Sequence, residues 1–337
     1  MRTWKKPGIL FVSGLILIIL VLPTLIVIPF IGSNAEQQAQ PVVATPTESA
    51  QGNTLADNPA LMVSVLRSQT EEVDEVPLEL YVARVVASEM PADFELEALK
   101  AQALAARTYI VQYLSNDDSS QVTDTVNHQV YKNDEELRVA WGTDYDWKMS
   151  KIEQAVSETK GEIITYQEKP ITAAFFSTSN GYTENSEDYW PNKIPYLRSV
   201  ESPWDAESPK YVDQQVFTKQ QIEDKLEVAI TSNQPALSNI SKTDSERVST
   251  VTIGGKSFTG REIREALALN SSDFSVKYKN EHIIFTTKGY GHGIGMSQYG
   301  ANGMAQEGNS YQDIVAHYYK DVKISQIDSY LPKLASK

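Results

Sequence analysis

The chain has 337 residues, a formal net charge of −14 at pH 7 and no cysteine. The lack of cysteine excludes a disulfide-stapled scaffold, so a hydrophobic core has to stabilise the folded part of the chain. The acidic charge argues against binding to nucleic-acid phosphates and to anionic lipid headgroups, because both need a basic surface. A neutral or locally charged substrate is therefore favoured, and no nucleic-acid partner is expected.

The chain begins with a long apolar segment. Residues 9–31 are almost wholly apolar, and no charged residue lies between Lys6 and Glu36. About 20 such residues span the hydrocarbon core of a bilayer, and the basic residues before the segment place the N-terminus in the cytoplasm. A cleavable secretory signal with a small-x-small site at residues 33–35 is the alternative, but the segment exceeds the roughly 7–15 residues of a signal core. We predict a cytoplasmic tip and transmembrane anchor over residues 1–31.

Residues 32–58 are polar, contain proline and show no apolar periodicity, which predicts a flexible linker. The remaining length suffices for one large domain, or for two small ones that share an interface. We predict an extracytoplasmic domain over residues 59–325 and a short C-terminal tail over residues 326–337. The protein is thus expected to be a single-pass protein of the cell membrane.

The domain is predicted to begin with a strand at residues 62–66, a loop at the acidic residues 71–75 and a helix at residues 78–90, which ends before Pro91. Asp93 is a good N-cap for a second helix, and glutamates in its first turn complement the helix dipole. That helix continues through the sequence ALKAQALAARTYIVQYL. Its many alanines indicate that another backbone packs very close to it.

The later predicted elements are again a mixture of strands and helices. They are strands at 163–166 and 171–178, a hairpin of 248–253 with 256–258, a helix opened by a capping box at 259–262, a hairpin of 274–278 with 282–287, and a last helix capped at 310–313. No βαβ rhythm is present, so the pattern favours an α+β fold over a doubly wound sheet.

The first candidate functional segment surrounds Glu89, the last residue but one of the first predicted helix. The helix dipole disfavours a carboxylate there, and apolar neighbours would raise the pKa of Glu89 into the range of a general acid. A solvated terminal glutamate is the alternative. On the following helix, Lys100 and Arg107 flank one side of an apolar face, while Gln102 and Tyr109 flank the other.

The second segment is FFSTSNGYTENSEDYW, in which a strand ends in hydroxyl and amide side chains followed by aromatic residues. Ser177, Ser179 and Tyr182 are candidate substrate contacts, because a sugar site needs polar groups beside an aromatic face. The alternative is an Asn-Gly turn with a packed Trp190.

The third segment is KGYGHGIGMSQYGANGMAQEG, in which glycines alternate. Such glycines indicate close approach by a ligand or by another backbone, and the segment does not fit the nucleotide-binding pattern G-x-G-x-x-G. His292 could donate to substrate, orient Glu89, or be a hydrogen-bonded structural residue, and Gln298 is a further candidate contact. The histidines are scattered and no HExxH is present, so we expect no metal site and no cofactor.

Together these segments resemble the stage II sporulation protein D family. The matching sequences are VVASEMPADFELEALKAQALAARTY, FFSTSNGYTENSEDYW with PYLRSVESPWD, and KGYGHGIGMSQYGANGMAQEG with IVAHYY. They occur in the family's order behind an N-terminal anchor, and they extend over residues 73–319. The match is closer to the sporulation proteins than to the related amidase enhancers.

The resemblance implies a peptidoglycan lytic transglycosylase of endospore-forming bacteria. Such an enzyme cleaves the MurNAc-GlcNAc bond of denuded glycan strands and leaves a 1,6-anhydroMurNAc end. It works during engulfment at the mother-cell membrane that faces the septal wall, with a membrane-anchored amidase and a third anchored protein. The family's catalytic acid falls on Glu89. Some members bind zinc through cysteine and histidine, but this chain has no cysteine, so that feature is not carried over.

Denuded glycan carries a bare lactyl carboxylate on each muramic acid. We expect Arg107, with its planar fork, to bind that carboxylate, and Lys100 to be a second candidate. Two alternatives remain open for the whole protein. One is a non-catalytic wall-binding module that activates a cell-wall amidase. The other is a hydrolase that pairs Glu89 with a second carboxylate from the segment of residues 184–188.

Overall fold

A computed structural model describes residues 61–116, 121–230, 237–279 and 282–330, all within one unit of the chain. The predicted anchor and linker, and residues 331–337 of the predicted tail, lie outside these ranges. Within them, no helix is long and apolar enough to cross a membrane.

The described residues form a mixed α+β fold, as the sequence predicts. The helices are α1 (Leu78–Glu89), α2 (Leu96–Asn116), α3 (Asp134–Trp141), α4 (Tyr145–Glu158), α5 (Lys219–Leu226), α6 (Gly260–Leu267), α7 (Gln298–Gln306) and α8 (Tyr311–Tyr318). The strands are β1 (Met62–Leu66), β2 (Val73–Pro77), β3 (Gln121–Thr123), β4 (Glu162–Tyr166), β5 (Lys169–Pro170), β6 (Phe175–Phe176), β7 (Val212–Thr218), β8 (Ser238–Lys242), β9 (Val248–Ile253), β10 (Lys256–Thr259), β11 (Phe274–Lys279), β12 (His282–Lys288), β13 (Met296–Ser297) and β14 (Lys323–Gln326).

Helix α2 lies at the centre of the larger of two hydrophobic cores. It packs against α1, α4, α7, α8 and strand β4. Its alanines at 98, 101, 103, 105 and 106 are fully buried, so small side chains face neighbours on several sides of the helix. The prediction that another backbone approaches this helix closely is confirmed, because helices and strands contact it on several sides.

Two predictions near the N-terminal end of the domain are wrong. The acidic residues expected to form a loop belong largely to β2, which pairs antiparallel with β1 along its full length. Because β2 is an edge strand, its acidic side chains can remain in solvent while its backbone completes the ladder. The second helix begins at Leu96 rather than after Asp93, because Phe94 turns inward and packs edge-on against Tyr299 at a centroid distance of 4.9 Å.

The second hydrophobic core lies among β7, α5, β9, β10, α6, β11 and β12. Both predicted hairpins are confirmed, since β9 pairs with β10 and β11 with β12, each antiparallel. The capping boxes at Thr259 and Ser310 are also present. Each hydroxyl accepts from the backbone N–H three residues on, which fixes the first turn of its helix.

The glycine-rich segment packs directly against residues 174–180, where only Phe175–Phe176 is a strand rather than the longer run expected. Gly295 has φ +77°, and a Cβ there would lie 2.0 Å from the Ala174 carbonyl oxygen. Gly289 has φ +83°, and its Cβ would lie 2.8 Å from the Thr178 carbonyl oxygen. The sequence predicts close approach by a ligand or by another backbone. At Gly289 and Gly295 the structure supports another backbone.

Candidate active site

A cleft of about 550 Å³ lies where α1, α2 and the glycine-rich segment meet helix α6 of the second core. Its size falls in the range of small-molecule sites. Five of the predicted site residues line it, namely Glu89, Tyr109, Ser177, His292 and Gln298. The fold therefore brings together side chains from all three candidate segments.

Glu89 is the last residue of α1, which ends there because Met90 adopts an extended conformation before Pro91. Its side chain is half-buried, and its Oε1 accepts a hydrogen bond of 2.9 Å from the backbone N–H of Val130. Burial raises the pKa of Glu89 above the ordinary value of 4.5, and the hydrogen bond from Val130 offsets only part of that effect. This direction is the one expected for a general acid.

Two glutamine side chains support the Glu89 backbone. Gln298, at the start of α7, donates from Nε2 to the Glu89 carbonyl oxygen at 3.1 Å and to Gln102 Oε1 at 3.4 Å. Gln102 is fully buried and does not reach the cleft surface, so the expected substrate contact by Gln102 is corrected to a contact within the protein. Gln298 links α7 to the end of α1.

Aromatic rings line the cleft around Glu89. Tyr109, Phe176, Trp190 and Tyr290 all contribute to its wall, and the Tyr290 side chain is 42% exposed. Burial raises the pKa of Tyr109, which therefore remains a neutral phenol. Such a wall offers apolar faces for sugar rings beside polar groups.

His292 lines the cleft among these rings, and none of its described hydrogen bonds or ring contacts reaches Glu89. Its Nδ1 accepts a hydrogen bond of 3.0 Å from the Ile294 N–H, and its ring centroid lies 5.7–6.0 Å from those of Phe176, Tyr189 and Trp190. Burial, with neighbouring arginines, lowers the pKa of His292 to about 4. The imidazole is neutral at pH 7, and its hydrogen bond from Ile294 and its packing against three aromatic rings support a structural role for His292.

Arg107 is fully buried, and its expected contact with a lactyl carboxylate is wrong. Its Nε lies 3.0 Å from Glu79 Oε1 and its Nη2 lies 2.6 Å from Glu79 Oε2. Its Nη1 donates to the carbonyl oxygen of Glu162 at 3.1 Å and its Nη2 to that of Val156 at 3.3 Å. The planar fork therefore binds a carboxylate of the protein itself and ties α2 to α1, α4 and β4.

Lys100 likewise pairs with carboxylates of the protein. Its Nζ lies 2.7 Å from Glu97 Oε1 and 2.6 Å from Glu158 Oε2, and it does not line the cleft. Two carboxylates neutralise its charge, so the expected substrate contact by Lys100 is corrected to an ion pair between α2 and α4.

Ser179 and Tyr182 also lie outside the cleft. Ser179 is fully buried, and it donates to Asp205 from its backbone N–H at 2.9 Å and from its hydroxyl at 2.8 Å. The Tyr182 ring is exposed, while its backbone bridges to Glu201. Of the three residues of the second segment expected to contact substrate, Ser177 is the one that lines the cleft.

Asp205 is a buried junction that the sequence analysis missed. Besides Ser179, it accepts from the hydroxyls of Ser202 at 2.5 Å and Ser297 at 2.6 Å. Burial raises the pKa of Asp205, and the hydrogen bonds from these serines oppose that effect. The carboxylate joins residues 177–181 to the glycine-rich segment, and only the fold brings these serines together.

The remaining carboxylates considered for a hydrolase lie elsewhere. Glu184, Glu187 and Asp188 line a separate cavity of about 290 Å³. Glu187 is paired with Arg198, whose hydrogen bond lowers the pKa of Glu187 to about 2. Among the described side chains, Glu89 contributes the cleft's one carboxyl group.

Lys210 and Arg264 line the cleft as well, and sequence reasoning missed both. Arg261 and Arg264 lie on the same short helix, and nothing in the sequence distinguishes them. Within the described ranges, no group of three His, Cys, Asp or Glu side chains is placed to hold a metal ion.

The fold and the cleft thus define a mixed α+β protein with one carboxyl of raised pKa beside aromatic rings, an arrangement suited to acid-base chemistry on a sugar. The Stage II sporulation protein family model matches residues 66–166. The stage II sporulation protein D of Bacillus amyloliquefaciens is 46% identical over 98% of this chain and 99% of the relative. That of Bacillus subtilis (strain 168) is 47% identical over 96% of this chain and 97% of the relative.

An amidase enhancer of Bacillus subtilis (strain 168) is 31% identical over 70% of this chain and 39% of its own length. The similarity to the sporulation proteins covers nearly the whole of both chains. The chain therefore belongs to the stage II sporulation protein D family.

Proposed function

We propose that this protein is a lytic transglycosylase, anchored in the mother-cell membrane, that cleaves denuded glycan strands during engulfment. The observation that carries the proposal is Glu89, a half-buried carboxyl of raised pKa in a cleft with aromatic walls. Membership of a sporulation family supports the cellular setting. The apolar run at residues 9–31 supports anchoring, with the domain outside the cytoplasm.

The chemistry needs only one carboxyl group. Protonated Glu89 donates its proton to the glycosidic oxygen as the bond from that oxygen to the anomeric carbon of MurNAc breaks. The C6 hydroxyl oxygen of the same MurNAc then bonds to the anomeric carbon, and its proton passes to the Glu89 carboxylate. Glu89 is restored to its starting state, and the products are a free GlcNAc hydroxyl and a 1,6-anhydro end.

The composition of the cleft favours this chemistry over hydrolysis. Hydrolytic glycosidases generally place a second carboxyl about 5–9.5 Å from the first to act as nucleophile or base. The described lining of the cleft offers Glu89 and no second carboxyl. An intramolecular hydroxyl removes the need for that second group.

The test uses the full chain, purified in detergent, acting on denuded glycan, with product ends identified by mass spectrometry. Wild type is expected to leave 1,6-anhydro ends, and Glu89→Gln is expected to lose about 10²–10⁴-fold in rate. Glu153→Gln is the matched control, because burial also raises the pKa of Glu153 but its side chain lies outside the cleft. Reducing ends in place of anhydro ends would show a hydrolase.

A second candidate function is activation of a cell-wall amidase by binding to the wall. It is favoured by the relative named amidase enhancer, which matches 70% of this chain. A membrane-anchored amidase is the partner we propose, together with a third anchored protein, since shared anchoring raises effective concentration. Unchanged glycan cleavage by Glu89→Gln would reject the catalytic proposal, while stimulation of amidase turnover by the same variant would favour the activator.

A further inference from the structure

The cleft is cationic although the chain as a whole is strongly acidic. Of the described acidic, lysine and arginine side chains, Glu89, Lys210 and Arg264 line it, and the histidines His128 and His292 line it as well. Glu89 is uncharged when it is ready to donate a proton, and His292, with a pKa of about 4, is neutral at pH 7. A protein with a net charge of −14 therefore presents two positive groups to whatever occupies this cleft.

Arg264 differs from the other seven arginines in the described ranges. In each of those seven, a guanidinium nitrogen lies within 4.0 Å of a carboxylate oxygen. Those seven are Arg67, Arg84, Arg107, Arg138, Arg198, Arg247 and Arg261. Arg264 has no such partner within the described ranges. Because carboxylates outnumber cations on this chain, an arginine that remains unpaired in a cleft is a candidate site for an anion supplied by a ligand.

The guanidinium of Arg264 is already oriented. Its Nε donates to the Asn270 carbonyl oxygen at 3.3 Å, and its Nη1 donates to the Tyr189 hydroxyl at 3.1 Å. These contacts use two of the five N–H donors of a guanidinium. Its Nη2 has no hydrogen-bond partner among the described residues and is not one of the fully buried unpartnered atoms, so this nitrogen is not sealed from solvent.

Lys210 is a second cation on the same cleft. Its side chain is exposed, and its Nζ lies 5.1 Å from the centroid of the Tyr290 ring. No described carboxylate lies within ion-pair distance of it. A ligand that enters the cleft beside Tyr290 would thus meet a positive charge.

We propose that Arg264, assisted by Lys210, binds the lactyl carboxylate of a muramic acid residue and so determines the preference for denuded glycan. The proposal rests on the proposed function, which supplies a muramic acid polymer as the substrate. In glycan that still carries stem peptides the lactyl carboxyl is part of an amide and is uncharged. Removal of the peptide creates the anion that a bidentate guanidinium recognises.

The experiment compares denuded glycan oligomers with the same oligomers whose lactyl carboxylates have been converted to N-methylamides. Affinities are measured by calorimetry on the full chain in detergent, in a Glu89→Gln background that limits turnover. The Arg264-containing protein is expected to bind the free carboxylate form about tenfold or more tightly than the amide form, the range of a hydrogen bond to a charged group. Added salt should narrow that difference.

Arg264→Gln is expected to remove the discrimination by weakening binding of the carboxylate form alone. Arg264→Lys, which keeps the charge but not the fork, should retain part of it, and Lys210→Gln should cause a smaller loss than Arg264→Gln. Arg138→Gln is the control, because Arg138 lies in an exposed ion pair with Asp146. Thermal melting of each variant identifies any loss of folded protein.

Three results would overturn the proposal. They are equal affinity of the parent protein for both glycans, retained discrimination in Arg264→Gln, and equal weakening towards both glycans, which would mean that Arg264 only positions Tyr189 and Asn270. Because the readout is binding, it is independent of the catalytic assignment. If Glu89→Gln still cleaves glycan, the proposed role of Glu89 fails while the affinity difference still tests Arg264.

Discussion

Replacing Arg107 with methionine tests whether this residue holds the fold together or binds substrate. Methionine keeps the length and apolar stem of the side chain but removes the guanidinium that contacts Glu79, Glu162 and Val156. The Glu79 carboxylate, only 8% exposed, would keep the Gly161 N–H at 3.2 Å as its remaining backbone donor. The variant therefore leaves a buried charge without its cation.

Removing one partner of a buried ion pair costs about 3–5 kcal/mol of stability. For a domain of this size, each kcal/mol lowers the melting temperature by about 2–4 °C, so Arg107→Met should melt about 6–20 °C below wild type. The double variant Glu79→Leu with Arg107→Met should recover most of that loss, because an apolar pair of similar volume replaces the buried charges. Arg138→Met, in an exposed pair, should change stability by less than about 1 kcal/mol.

The assay is thermal and urea denaturation followed by circular dichroism, with glycan binding measured on the folded fraction. The structure predicts a large loss of stability and little change in the affinity of the remaining folded protein. An Arg107→Met variant that melts like wild type but binds denuded glycan poorly would refute this reasoning and restore Arg107 as a substrate contact.

Three further predictions concern the site and its supports. Glu89 has a raised pKa in the folded state, so its favourable contribution to stability is complete below its unfolded pKa and is lost as pH rises through the folded pKa. The free energy of unfolding of Glu89→Gln, measured by urea denaturation, should therefore rise relative to that of wild type from pH 4 to 7. A difference that stays constant with pH would contradict this. Gly295→Ala should cost more than about 3 kcal/mol because its Cβ would meet the Ala174 carbonyl, whereas Gly255→Ala, with no atom within 4 Å of the added Cβ, should cost only about 1–2 kcal/mol for its left-handed backbone. Asp205→Ala should lower the free energy of unfolding by about 3 kcal/mol or more, because the serine donors around it become buried and unpaired; a loss below about 1 kcal/mol in urea denaturation would show that they find other partners.

Local signals predicted several elements of the fold. The capping boxes at Thr259 and Ser310 and the two hairpins are set by residues within a few positions of each other, so the sequence contains the whole cause of each. Strand β2 was missed because its pairing with β1 satisfies the backbone of an acidic segment, and pairing between separate segments is invisible to periodicity.

In the candidate site, too, local signals can be predicted from the sequence, whereas contacts between distant segments cannot. Helix position and apolar neighbours make Glu89 a candidate, the family resemblance assigns the catalytic acid to it, and burial does raise its pKa. Arg107 and Lys100 were misassigned because a helical wheel gives their face but not the carboxylates of Glu79 and Glu158 that meet them. Arg264 could not be predicted from the sequence, because only the fold shows that no described carboxylate pairs with it.

Both candidate functions use the cationic part of the cleft around Arg264, and only the lytic enzyme also uses the part around Glu89. Glu89 belongs to α1 and the larger core, while Arg264 belongs to α6 beside the second core. The junction at Asp205 and the packing of the glycine-rich segment hold the chain between them in place. A wall-binding activator would need the cationic half alone, whereas a lytic enzyme needs both halves, because the anion must be held while the proton is delivered. Weaker binding of denuded glycan by Arg264→Gln is therefore expected under either function, and the proton donor Glu89 is the residue that separates them.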